Sequence, residues 1–158
     1  MFYFNPFIRR LLLKCRAYRK SDSRPLDMPV SYLNALDEAD VIIKVLKEDS
    51  HKHAIYVLSD EIKTPNEICD IMNDVMGTDI KPVFVDADHL RDYWPSYFEG
   101  GDSFAKAAFV AMHKTYTDWG WSGNANVYHW LLGDQKPRTI RDFVTSEAQS
   151  LGIKTTGN

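Results

Sequence analysis

Tyr93, Trp94, Tyr97 and Phe98, interrupted by Pro95, make the densest cluster of potential binding residues in this 158-residue sequence. Aromatic rings so close together offer a large apolar area to whatever covers them. Gly100 and Gly101 follow, and would let such a segment move as a lid or simply end it. The same rings could equally belong to a loop packed over helices. The histidines offer less. His113 falls at the border of a long helical pattern, and His129 lies between Tyr128 and Trp130, where packing or hydrogen bonding is its natural use. His51 and His53 sit in a charged loop that could hold a metal only weakly. Asp37 stands at a helix entry, where the helix end stabilises a carboxylate without any substrate.

Several reaction classes lack their parts. No HExxH pair, CxxC pair or Gly-x-Ser-x-Gly elbow occurs, and no glycine-rich phosphate loop follows an opening strand. The tyrosine–lysine pair used for proton transfer needs Lys four positions after Tyr. Tyr116 is followed there by Gly120, Tyr56 by Asp60 and Tyr128 by Leu132.

The elements that must position these residues are legible in part. Apolar positions Phe104, Ala107, Ala108, Ala111, Met112 and Tyr116 predict the inner face of a long helix, opened by Asp102 or Ser103 and ended by Gly120. Trp119, Trp121 and Asn124 occupy the following turn. Val127, Trp130 and Leu131 predict a short second face, and Thr139 with Asp142 an approximate capping box before Ile140, Phe143, Val144 and Leu151. Upstream, residues 5–18 read as a helix and 30–33 as a short strand. Asn34 or Asp37 then caps a helix carrying Ala39, Ile42, Ile43, Val45 and Leu46. Residues 54–58 read as the best strand in the chain. Thr64, Pro65 and Glu67 are the sharpest helix-start signal, with Ile68, Ile71, Met72 and Val75 inward and Gly77 as the stop. Residues 81–85 form another strand.

This order predicts an α/β layer with a short, mainly parallel sheet and several packed helices in one domain. An apolar share of 44% suffices for a core, and a net charge of -3 predicts no nucleic-acid partner. Two cysteines, Cys15 and Cys69, predict neither a disulfide scaffold nor a zinc site and suit a reducing, cytoplasmic location; nucleus and mitochondrion are compatible alternatives. The basic, partly apolar N-terminal stretch is broken by Arg9, Arg10 and Lys14, well short of the roughly 20 apolar residues of a membrane span. So narrow a sheet would leave an open edge, through which a homo-oligomer or a protein partner could pair. Poor solubility or self-association of the isolated chain is the corresponding expectation.

The chain resembles the C-terminal half of NmrA-like proteins, atypical members of the short-chain dehydrogenase/reductase superfamily. MFYFNPF resembles a Phe-Met-x-Asn segment through Phe4 and Asn5, and the next strand and helix entry are matched by Asp37 and Ala39, with Asn34 where an aspartate is common. AIYVLSDEIKTPNEICDIMNDVMG resembles the following strand and helix. Gly133, Pro137, Thr139 and Phe143 resemble a closing Gly-x-x-Pro-x-Thr-hydrophobic-x-x-Phe segment, with one more residue between Gly133 and Pro137 than that pattern has.

What the resemblance implies is a partial Rossmann-like fold whose relatives bind NAD or NADP, some for redox chemistry and some for regulation. The phosphate loop and ribose-binding residues have no counterpart in this sequence, so no cofactor is expected for the isolated chain. It implies Asn5 as a cofactor-side residue, although Asn5 before Pro6 also reads as a plain helix cap. Phe4, Tyr93, Trp94, Tyr97 and Phe98 become candidates for the wall of a cleft that takes a small apolar ligand. A partner-binding regulatory module, or half of an oxidoreductase completed by another chain, are the alternatives.

Overall fold

The computed structural model describes residues 2–3, 20–22, 26–93, 95–100, 102–120 and 123–156. The expected helix 5–18 lies outside these, as do Phe4, Asn5, Trp94, Gly101 and Trp121, together with the side chains of Tyr93, Tyr97 and Tyr116.

Strand β3 (Val30–Leu33) organises the described fold. It pairs in parallel with β1 (Phe2–Tyr3) and antiparallel with β4 (Ile62–Lys63), Val30 opposite Lys63. The ladder continues past β4, since the Tyr32 N–H donates to the Glu61 carbonyl at 2.8 Å and the Asp60 N–H to that of Tyr32 at 3.1 Å. A separate parallel pair joins β2 (Lys20–Asp22) to β5 (Pro82–Phe84). All four side chains of β3 are buried, and their alternation feeds two cores. Val30 and Tyr32 pack with Ile68 and Met72 of helix α2 (Pro65–Met76) and with Ile140 and Val144 of α7 (Ile140–Ser150). Leu33 packs on the other side with Val41 of helix α1 (Ala35–Lys47) and with Tyr128 and Leu131 of α6 (Asn126–Leu132).

The local signals set the ends of these helices. The Asn34 side chain accepts from the Leu36 N–H at 2.9 Å, and reciprocal capping boxes open α2 at Thr64–Glu67 and α7 at Thr139–Asp142. Gly77 leaves α2 at φ 63°, the left-handed region that a side chain resists.

Three expectations are corrected. Residues 54–58 pair with no strand among the described residues: Tyr56 and Leu58 turn toward the second core while Ile55 and Val57 are 93% and 74% exposed. The alternation is strand-like, but β4 and the residues just before it take the free edge of β3. The long helix α5 (Ser103–Trp119) does not bury the face chosen from its pattern; Phe104 is 76% exposed, and Ala107, Ala108, Ala111 and Met112 also face out. Its inward row is Lys106, Phe109, Val110, His113 and Thr117, because Phe109 has ring partners in Phe98 and His113 whereas alanines have little area to bury. In α6 the buried residues are Tyr128, Leu131 and Leu132, while Val127 and Trp130 are exposed.

Candidate functional site

A cleft of about 630 Å³ opens between α5 and the segment that precedes it. Its first wall begins at Asp86, whose carboxylate accepts from the Asp88 N–H at 2.8 Å and so starts a single helical turn, Ala87–His89. That turn puts Ala87 inward and Asp88 at the rim, and runs into the short helices α3 (Leu90–Tyr93) and α4 (Pro95–Phe98). These contribute Arg91 and Phe98 to the cleft.

The second wall is α5, started by Asp102, whose side chain accepts from the Phe104 N–H at 2.9 Å. Lys106, Val110 and Lys114 recur every four residues along it, with Ala107 and Ala111 beside them, and all five line the cleft. The two alanines leave the space that larger side chains would fill.

Phe98 is fixed from two sides. Its ring meets Phe109 edge-on at 5.9 Å and 78°, and the Arg91 guanidinium lies 5.7 Å from its centroid. Lys114 joins the walls through an ion pair with Asp88 at 2.7 Å. That hydrogen bond, followed by the charges of Asp88, Asp86 and Asp118, holds the Lys114 ammonium above its usual range. Arg91 and Lys106 make no salt bridge among the described residues.

Phe98 is therefore the one cleft-wall candidate from the sequence whose side chain the described structure places in the cleft. Arg91, Asp88, Lys106 and Lys114 escaped sequence reasoning. For the two lysines the signal is the four-residue spacing of Lys106, Val110 and Lys114, beside an alanine face that reads as core; no local pattern marks Arg91 or Asp88.

The other candidates serve the scaffold. The carboxylate of Asp37, inside the first turn of α1 as expected, is fully buried, accepts from the Arg138 backbone N–H at 2.6 Å and pairs with the Arg138 guanidinium. Arg138 also approaches Asp40 at 3.4 Å, and a 3.0 Å hydrogen bond from Gln135, with Arg138 next, holds the Asp40 carboxyl below its ordinary range. Among the described residues the buried Tyr128 hydroxyl meets no partner at full hydrogen-bond geometry, although the Asp37 carboxylate lies close; burial first, then that carboxylate, pushes the phenol far above its usual range.

His51, expected in a solvated loop, is buried, its ring nitrogens 2.7 Å from the Tyr56 hydroxyl and 2.9 Å from a Glu48 carboxylate oxygen. Bound on both sides, it anchors its turn rather than a metal. His129 has the hydrogen-bonded role expected, 2.8 Å from Asp60, and the His113 Nδ1–H donates to the Phe109 carbonyl at 2.8 Å. Among the described residues no three His, Cys, Asp or Glu side chains are grouped to hold a metal ion, and no helix is long and apolar enough to cross a membrane.

No family model matches the sequence, and no curated protein does. Solved structures do match. A nucleoside-diphosphate-sugar epimerase from Staphylococcus aureus superimposes with a TM-score of 0.73 at 21% identity, over 90% of this chain and 49% of that one. The fold is partial Rossmann-like. Triphenylmethane reductase from Citrobacter sp. also matches. The structure complexed with NADP(H) gives a TM-score of 0.71 at 16% identity over 88% of this chain and 48% of that one. A second structure of that reductase gives 0.73 at 16% identity over 96% and 51%. This chain thus spans about half the length of the proteins it resembles. The NmrA-like resemblance read from the sequence is met at the level of the fold.

Proposed function

We propose that this chain supplies the substrate-side half of an NmrA-like, NAD(P)-binding protein and does not catalyse a reaction by itself. In this reading the nucleotide's phosphates are held by residues outside this sequence, Asn5 faces the cofactor, and Phe4, Tyr93, Trp94, Tyr97 and Phe98 wall the ligand cleft. The observation that carries it is a roomy cleft edged by Phe98 on a fold matching about half of a reductase that was solved with NADP(H). The setting is cytoplasmic in this proposal. Calorimetric titration of the chain with NAD and NADP tests it. Neither nucleotide should give a saturable micromolar complex, and the chain should not oxidise NADPH. A micromolar complex with either nucleotide would overturn the reading.

A second reading, a partner-binding regulatory module, is favoured by one helix face. Leu36, Ile43 and Leu46 of α1 recur at helical spacing yet are 61%, 50% and 81% exposed. Sedimentation velocity should then show a stable dimer or heteromer, and a strictly monomeric, cooperatively folded chain would exclude it.

A further inference from the structure

The cleft beside Phe98 is electrostatically lopsided. At one end Lys114 is engaged by Asp88, with Asp86 and Asp118 adding negative charge around it. A ligand anion gains little there. Of the other two cations that line the cleft, Lys106 lies two turns before Lys114 on α5 and Arg91 stands on the facing wall; neither has a carboxylate partner among the described residues, and Arg91 is held over the Phe98 ring. Between the two ends lie Ala107, Val110 and Ala111, an apolar strip with room above it.

An anionic group with a flat apolar body satisfies each of these features together. The body covers the alanine strip and the free surface of Phe98. The anion reaches the guanidinium fork of Arg91, whose paired N–H groups match a carboxylate, and the flexible Lys106 ammonium follows it. A cationic ligand would have to meet two positive charges that no carboxylate among the described residues pairs. We propose that the cleft binds an aromatic carboxylate through Arg91 and Lys106. This rests on the reading of the cleft as a ligand wall, and adds the charge of the ligand to it.

The test titrates the chain with 2-naphthoate and with neutral 2-naphthamide, following intrinsic fluorescence. The acid should bind about tenfold more tightly than the amide, and its advantage should shrink as salt is raised. Arg91→Gln and Lys106→Gln should each bring acid and amide closer together. Lys47→Gln, on helix α1 and outside the lining of the cleft, should leave the preference unchanged. Circular dichroism confirms that each variant is folded.

Equal affinity for acid and amide, no binding of either by folded protein, or an equal loss in Lys47→Gln would overturn the proposal. Its failure is separable from that of the parent reading, because nucleotide titration does not involve Arg91 or Lys106.

Discussion

Removing either partner of the Asp37–Arg138 pair should destabilise the protein, but unequally. Asp37 is fully buried, while the Arg138 side chain is 42% exposed. After Asp37→Asn, the guanidinium still reaches water and Asp40, and the amide oxygen can still accept the Arg138 backbone N–H. The cost is then roughly that of one charge-assisted hydrogen bond, about 1.5–3 kcal/mol. After Arg138→Gln, a carboxylate remains in the interior with its countercharge gone, the case for which about 3–5 kcal/mol is typical.

Against a total stability of about 5–15 kcal/mol, the second loss is severe; for a chain of this size it lowers Tm by roughly 10 °C. Urea unfolding at neutral pH, followed by far-ultraviolet circular dichroism, measures both. The double variant should cost less than the sum, with a coupling of about 1–3 kcal/mol. If Asp37→Asn proves as damaging as Arg138→Gln, or the two costs simply add, this pair does not tie α1 to the segment that leads into α7.

Met72 is wholly buried between α2 and α7, so Met72→Ala should cost about 2–5 kcal/mol in the same urea assay. Tyr128→Phe should be neutral or stabilising by about 1 kcal/mol, because it removes a buried hydroxyl that meets no partner at full hydrogen-bond geometry among the described residues. Its folded phenol titrates above the ordinary 10.0, so the native state keeps its full advantage below that pH and loses it as pH rises; Tyr128→Phe should lose less stability in alkaline solution. The Asp142 carboxyl lies below its ordinary 3.8 because it accepts first from the Thr139 backbone and then from its hydroxyl. Its contribution is therefore present above 3.8 and disappears as pH falls through the folded value, an acid-side slope that Asp142→Asn should flatten. Thr139→Ala should cost about 1 kcal/mol at neutral pH, read from the urea midpoint.

What the sequence determined by itself was whatever depends on a few neighbouring residues. The caps at Thr64 and Thr139, the stop at Gly77 and the strand at 30–33 were legible, and two further caps were narrowed to Asn34 or Asp37 and to Asp102 or Ser103, because the hydrogen bonds and φ angles they require lie within a turn or two. The resemblance to half of a Rossmann-like fold was legible too, through the order of those signals. The tertiary structure decided which face of each helix turned inward and which extended segment found a partner. Ala107 and Ala111 read as core by spacing, yet they floor an open cleft because Phe109 and His113 bring the better stacking surface. Residues 54–58 have strand composition, but pairing needs an unoccupied edge, and beside β3 that edge belongs to β4 and the residues leading into it. Asp37 acquired its role from Arg138, a residue 101 positions away that no local pattern connects to it.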